Sequence, residues 1–225
     1  MHFHLPKPLH GWREFAGEVG IIVVGVLIAL GAEQVVEDMR WQQRVHEAEA
    51  SMTKELAEDD GPQAAVRLIV SQCIAKRLDD AEAALIAQRD RGTAFVAPKL
   101  VTPPFRTWDS GSWSAAVSSE ATSHMATDRM YAWSEPFALT DAMNQASVRE
   151  FNDWAELTMI GSLPSHPSEA ERERMLSAIA HARQDNVFLN WISGVFLRYM
   201  GSAGVRVSES PMRQELKVQR ATLGC

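Results

Sequence analysis

An uninterrupted apolar run near the N-terminus limits what this chain can fold into more than any other feature. Residues 19–32 read VGIIVVGVLIALGA and carry no charge. Extended to its polar flanks, the segment from Phe15 to Val36 has the roughly 20 mostly apolar residues that a helix needs to cross a bilayer. The sequence therefore predicts a transmembrane helix over residues 15–36, preceded by a short tail over residues 1–14.

Two other interpretations of the apolar run are open. Lys7 and Arg13 precede it as basic residues precede the core of a cleaved signal peptide, but helix-forming sequence continues without a break after Ala32. A buried core helix would carry a polar face, whereas this run is apolar all round. A membrane anchor agrees with every residue of the segment except Glu18, whose carboxyl group lies near one end. We favour the membrane anchor.

The orientation of the predicted span depends on a narrow balance of basic residues. Lys7 and Arg13 precede the span, and Arg40 and Arg44 lie just beyond it, so the Lys and Arg counts on the two sides are nearly level. The free α-amino group and the shortness of the tail favour an N-terminus on the inside. We therefore predict a cytoplasmic tail and a C-terminal domain outside the cytoplasm.

Beyond the span, the chain is long enough for one domain with a core of its own. We place this extracytoplasmic helical domain at residues 37–204 and a C-terminal tail with a short helix at residues 205–225. The chain of 225 residues has a formal net charge of −7, which disfavours binding to nucleic acid. The predicted partners are the lipid bilayer and an unknown protein or small ligand, and no cofactor is expected.

The chain has two cysteines, Cys73 and Cys225. In an exported domain they could pair with each other. We favour the alternative, in which Cys73 is a small buried side chain on a helix and Cys225 lies at a frayed end.

Almost every segment after the apolar run has helical periodicity, so the sequence predicts an all-α fold. The transmembrane helix is expected to continue to about residue 58 and to break at Asp59–Pro62, with Asp60 as the N-cap of the next helix. A helix over 63–91 would then fold back to form a helical hairpin, which leads into a helical-bundle domain of about five to six helices in all.

Four further helices are predicted after an irregular stretch over residues 92–112, where several prolines occur. Helices are expected over 112–134 and 136–160. The spacing of Ser168 and Glu171 predicts a capping box that begins a helix running to Met200. A short, loosely held helix is expected from Ser210.

Three polar side chains in the predicted 112–134 helix are the best candidates for a metal or acid–base site. Glu120, His124 and Asp128 stand four residues apart, which would place them on one helical face. These residue types suit zinc or a general base, and they define the alternative function, a metal-assisted hydrolase or lyase. Trios of this kind are more often a solvated face, and we assign no metal or catalytic residue. His181 and Asp185 have the same spacing and a weaker case.

Small residues inside the predicted span favour association between two anchors. Gly25 and Ala29, together with Glu18 and Ala32, fall near one helical face. Small side chains let two backbones approach closely in lipid, and an ionisable residue prefers a protein neighbour there. The alternative is that Glu18 extends to the headgroups and the glycines have no special role. A homo-oligomer formed through the anchor is therefore a hypothesis.

Histidines and tryptophans also permit functional interpretations, which we consider weaker than structural ones. The N-terminal tail holds His2, His4 and His10, but its prolines leave no fixed metal geometry, and we interpret it as a disordered interface tail. Five tryptophans spread over the last four segments of the chain are interpreted as core packing rather than as the lining of a ligand pocket: Trp108, Trp113, Trp133, Trp154 and Trp191.

The segment GEVGIIVVGVLIAL over residues 17–30, followed by Glu33 and Gln34, resembles the opening of a family of uncharacterised bacterial single-pass membrane proteins. The stretch TWDSGSWSAA over residues 107–116 is similar to a tryptophan- and alanine-rich region of that family. The resemblance implies a bacterial inner-membrane protein with an exported helical domain. The family has no known activity, so it implies no catalytic residue.

These observations favour a non-enzymatic role. The sequence DSGS over residues 109–112 lacks the glycine-flanked elbow of a serine hydrolase, and no other catalytic motif stands out. We expect a membrane-anchored helical module that binds a protein or a small ligand outside the cytoplasm.

Overall fold

The computed structural model describes residues 11–100, 102–103 and 105–224, apart from the side chains of Arg13 and Glu14. The histidines of the tail and Cys225 therefore lie outside the described residues. Seven α-helices carry the described fold, and no strand occurs among the described residues: α1 Gly11–Lys54, α2 Gly61–Arg91, α3 Gly111–Ser118, α4 Thr127–Phe137, α5 Thr140–Leu157, α6 Glu169–Ser202 and α7 Glu209–Leu223. The all-α prediction is confirmed.

The chain forms two compact units, residues 1–47 and residues 48–225. The first unit is the greater part of α1, and its apolar side chains are exposed. Ile21 is 76% exposed and Ile28 68% exposed. Within the described residues this is the one helix that is long and apolar enough to cross a membrane, judged by length and composition.

The predicted break at Asp59–Pro62 is wrong. A π-helical turn over Glu55–Asp60 joins α1 directly to α2, so no loop separates the two halves of the expected hairpin. Asp60 has helical dihedral angles and its side chain makes no capping hydrogen bond within the described structure. Gly61 permits this path, because a Cβ at that position would meet the Leu56 carbonyl oxygen and would lie 2.6 Å from Met200 Cε.

The second unit is built around two clusters of buried side chains. One cluster joins the end of α1 to α4 and α6, with Met52, Trp133 and Phe196 among its largest members. The other joins α2, α5, α6 and α7 and includes Trp154 and Leu223. Helices α2, α5 and α6 therefore form the centre of the domain. Trp108, Trp133 and Trp154 are buried, as core packing requires, whereas Trp191 is exposed.

The predicted helix over 112–134 is wrong, because three shorter helices replace it. Helix α3 ends at Ser118, a 3₁₀ turn covers Ala121–His124, and α4 begins at Thr127. Ser118 and Ser119 donate their hydroxyl protons to carbonyl oxygens of the preceding turn, a local competition that disfavours further helix. Glu120 then adopts a left-handed conformation with φ of 61°. Helix α5 similarly begins later than predicted, at Thr140.

The capping box at α6 is confirmed. The Ser168 hydroxyl accepts a hydrogen bond from the Glu171 backbone N–H, and the Glu171 carboxylate accepts one from the Ser168 backbone N–H. The expectation of a loosely held C-terminal helix is wrong. Helix α7 packs on α2, and its last residue, Leu223, is fully buried.

Cys73 was expected to be a lone buried side chain, and that expectation is also wrong. It is half-buried and disulfide-bonded, and no cysteine of the described residues is free. Four residues later on α2, Arg77 donates a hydrogen bond from Nη2 to the Gly224 carbonyl oxygen at 3.3 Å. The end of α7 therefore lies against the part of α2 that holds the disulfide.

Candidate functional site

The predicted Glu120, His124 and Asp128 face does not form. Glu120 has the left-handed backbone, His124 ends the 3₁₀ turn and Asp128 lies in the first turn of α4, so the three residues do not share one helix. None of the described residues forms a cluster of three or more His, Cys, Asp or Glu side chains that could hold a metal ion.

The predicted association face of the anchor lies on a continuous helix, as expected. Glu18, Gly25, Ala29 and Ala32 are all exposed residues of α1. A Cβ added at Gly25 would meet nothing within 4 Å, so the space beside this glycine is open. Whether a second helix occupies that space stays a prediction.

The structure brings together a cleft between α5 and α6 that the sequence did not predict as a unit. Its volume is about 530 Å³, within the range of about 300–1,000 Å³ typical of small-molecule sites. Seven residues line it: Arg149, Asn152, Asp153, His181, Gln184, Asp185 and Phe188. One aromatic ring and several hydrogen-bonding groups on two rigid helices make this the best candidate for a binding site.

Two carboxyl groups of the cleft face each other. The pKa of Asp153 is raised to about 6, first by burial and then by a hydrogen bond and charge repulsion from Asp185, while the charge of His181 opposes the shift. Asp185 is buried and receives a hydrogen bond from Arg149 Nε at 3.3 Å. Because two close carboxylates resist carrying two charges, the pair retains a proton at mildly acidic pH.

The helical periodicity of the sequence could indicate which of these residues share a face of one helix, but not that the two faces meet in this cleft. Asp185 and His181 lie four residues apart on α6, as do Arg149 and Asp153 on α5. Each pair alone has the spacing of an ordinary solvated helix surface. The carboxyl pair exists because α5 packs against α6, a tertiary contact that the pattern within one helix does not report.

A buried ion pair holds the helices under the cleft. Arg67 of α2 donates to both carboxylate oxygens of Glu150 on α5, at 2.7 and 2.6 Å. It also donates to Asn186 Oδ1 on α6 at 2.8 Å, and Asn186 donates in turn to the Ser71 carbonyl oxygen. Glu150 directly follows Arg149, and Asn186 directly follows Asp185. The network therefore fixes the backbone that carries the cleft residues.

The π-helical turn holds a second unusual carboxyl group. Asp60 is fully buried, and its Oδ2 has no hydrogen-bond partner within the described structure. Its pKa is raised to about 8, mainly by burial and also by the charge of Glu55, while a hydrogen bond from the Asp109 backbone N–H opposes the shift. Asp60 is therefore largely protonated at neutral pH.

Comparison with models of known protein families, with curated proteins and with solved structures found no match to this chain. Over the part of the chain that the structure describes, the protein belongs to the all-α class, with one exposed apolar helix and one helical domain.

Proposed function

We propose that this chain is a single-pass protein of the bacterial cytoplasmic membrane, with its N-terminus inside and its helical domain outside. The observation that carries the proposal is the exposed apolar segment of α1, none of which is buried. Exposed apolar surface costs about 25 cal/mol per Å² in water, a cost that lipid removes. The resemblance of residues 17–34 to anchors of uncharacterised bacterial single-pass proteins supports the same assignment.

The disulfide at Cys73 supports the exported position of the domain. Disulfides persist in oxidising compartments such as the bacterial periplasm and are rare in the reducing cytosol. The bond belongs to the second unit, together with the helices that form its core. A domain that carries this bond is therefore suited to the outside of the membrane.

For the domain itself we propose a binding role, with the α5–α6 cleft as the site. The cleft offers donors from Arg149 and Asn152, acceptors from the Asp153 and Asp185 pair, and an apolar contact with Phe188. Such a set fits a polar ligand with hydroxyl or amino groups. Because the residues lie on two packed helices, the geometry is largely preformed, as in other small-molecule sites.

Fusion of two reporter enzymes after Cys225 tests the proposed topology. A reporter that is active only after export should give a strong signal, and one that is active only in the cytoplasm should give none. A strong signal from the cytoplasmic reporter would reverse the orientation and refute the exported position of the domain.

The binding role is tested on the full chain in detergent against a library of polar metabolites. We expect at least one ligand to raise the midpoint of thermal unfolding, and Asp153→Asn to abolish that rise. Asp141→Asn, an exposed carboxylate at the start of α5, serves as the matched control. Turnover of a library compound by the purified protein would contradict the non-enzymatic assignment.

A further inference from the structure

An exposed aromatic ring on α6 adjoins the α5–α6 cleft. Trp191 is 60% exposed, whereas Trp108, Trp133 and Trp154 of the same domain are buried in its core. The Trp191 and Phe188 rings lie 5.9 Å apart between centroids, at 44° to each other, and Phe188 lines the cleft. The two rings together extend the apolar wall of the cleft toward solvent, as the aromatic side chains of ligand sites do.

Most polar groups of the cleft are open to solvent, so a ligand reaches them without a rearrangement of the domain. The exposed residues that line it are Arg149, Asn152, His181 and Gln184, and Asp153 is half-buried. The guanidinium and amide groups supply N–H donors, and the amide and carboxyl oxygens supply acceptors. The cleft therefore offers both kinds of hydrogen-bonding group beside its aromatic wall.

The aromatic wall lies one helical turn from the carboxyl pair. Asp185, whose carboxyl group faces Asp153, precedes Phe188 by three residues on α6, and Trp191 follows Phe188 by three more. Residues three apart are neighbours on a helix surface, with Cβ atoms about 5–6 Å apart. One compact ligand therefore contacts an aromatic ring and the Asp153 carboxyl group at the same time.

The cleft presents charges of both signs. Arg149 donates from Nε to Asp185 at 3.3 Å. Glu156, which also acts on Asp153, is paired with an arginine of α6 at 2.8 Å. An anionic ligand is repelled by the two aspartates and a cationic ligand by Arg149, so an ion of either sign loses part of what it gains. A ligand without net charge avoids both costs.

We propose that the ligand of this cleft is a neutral carbohydrate, an assignment that rests on the binding role proposed above. A sugar ring combines an apolar C–H face with a rim of hydroxyl groups, each of which donates one hydrogen bond and accepts others. The C–H face packs on Phe188 and Trp191, where it buries apolar surface. The hydroxyl groups donate to the Asp153 carboxyl group and accept from Arg149 and Asn152. Neither a purely apolar ligand nor a small ion uses both parts of the cleft.

Calorimetric titration of the full chain tests the assignment, in a detergent whose headgroup is not a sugar. The neutral probes are glucose, galactose, mannose and N-acetylglucosamine, with a linear trisaccharide of each. We expect at least one to bind with a Kd tighter than about 1 mM. Glucuronate and glucosamine, which each add one charge, should bind at least about tenfold more weakly than that probe. Failure of every neutral saccharide to bind, or equal binding of a charged sugar, would overturn the assignment.

Failure of the carbohydrate assignment is distinguishable from failure of the binding role. If a charged metabolite raises the midpoint of thermal unfolding, and Asp153→Asn abolishes that rise, while no neutral saccharide binds, the binding role stands and the carbohydrate assignment is wrong. If no metabolite and no saccharide binds, both are wrong.

Variants of exposed aromatic rings locate the ligand. Trp191→Ala should weaken binding of the best saccharide at least about fivefold, because it removes part of the aromatic wall, and Trp191→Phe should retain most of the affinity. Tyr131→Ala is the matched control, since Tyr131 is 61% exposed on α4 and does not line the cleft. Both positions are exposed, so neither variant removes a buried core side chain. Equal affinity of the Trp191→Ala and Tyr131→Ala proteins would place the ligand elsewhere and refute the proposal.

Discussion

The two units of this protein use the same apolar residue types in opposite ways. In the first unit Ile21, Leu27 and Ile28 are more than half exposed. In the second unit Ile74, Leu78 and Leu85 are fully buried between helices. Burial of such side chains is the main favourable term in folding in water. The second unit obtains this stabilisation from its apolar side chains, whereas the first unit leaves them exposed on a helix that is long and apolar enough to cross a membrane.

The two units also differ in where their charged side chains lie. The apolar run of the first unit carries no charged residue at all, whereas the second unit buries Arg67, Glu150 and Asp185. Buried charges are tolerated when they are paired and hydrogen-bonded. The second unit therefore contains buried polar contacts between its helices, and the apolar run of the first unit contains none. Changes to buried polar groups should therefore affect the domain and spare the anchor.

At a fixed, neutral pH the largest expected effect comes from the buried ion pair. Arg67→Ala leaves the Glu150 carboxylate buried without its partner, which should lower the free energy of unfolding by about 3–5 kcal/mol. Arg40→Ala, at an exposed arginine of α1, should change it by less than about 0.5 kcal/mol. Urea unfolding of the full chain in detergent, followed by tryptophan fluorescence, measures both. Equal effects of the two variants would contradict the assignment of Arg67 to the domain's central network.

The next effect comes from the disulfide. Reduction with dithiothreitol, or Cys73→Ser, should lower the free energy of unfolding of the domain by about 2–4 kcal/mol, because the unfolded chain gains freedom. The same unfolding assay in the presence and absence of reductant measures it. An unchanged unfolding midpoint after reduction would show that the bond does not constrain the fold.

Asp60 should make the domain less stable as the pH rises. Its pKa is raised from 3.8 to about 8 in the folded state, so the unfolded chain releases the proton first. The associated stability is complete below about pH 4 and is lost as the pH approaches 8, with a slope of up to about 1.4 kcal/mol per pH unit. Asp60→Asn should flatten this part of the profile. Identical pH profiles of the two proteins would refute the buried, protonated state of Asp60.

The smallest expected effect concerns the anchor. Replacing Gly25 and Ala29 together by Leu should separate two associated helices and weaken self-association by about 1–2 kcal/mol or less. Ile22→Leu with Val26→Leu changes little volume and should have almost no effect. A reporter of membrane-helix dimerisation would record the first as a several-fold loss of signal. Equal signals from the two double variants would indicate that the protein is anchored as a monomer.

Local patterns predicted those parts of the fold that depend on local interactions. The capping box at Ser168 and Glu171 was predictable because both partners lie within one turn. The left-handed Gly92 that ends α2 was predictable for the same reason. The apolar span and the all-α class follow from composition and periodicity, which need no tertiary contact.

The parts of the fold and of the site that the sequence did not predict depend on tertiary contacts. Asp59–Pro62 has the composition of a turn, but burial of Leu56 and Ala57 and the close approach of Met200 to Gly61 keep the chain helical there. The α5–α6 cleft joins residues that lie about 30 positions apart in sequence, so neither helix alone indicates it. Helix α7 was expected to be loosely held. It packs instead on α2, which lies far away in the chain, and a pattern within α7 does not report that contact.

The most direct test of the central claim, an anchored domain outside the cytoplasm, is labelling of single introduced thiols in intact spheroplasts with a membrane-impermeant maleimide. Ser177→Cys places a thiol at an exposed position of α6 in the domain, and Lys7→Cys places one before the apolar span. The account predicts that the thiol at position 177 is labelled at once and that the thiol at position 7 is labelled only after the membrane is permeabilised. Labelling of position 7 with protection of position 177 in intact spheroplasts would contradict it.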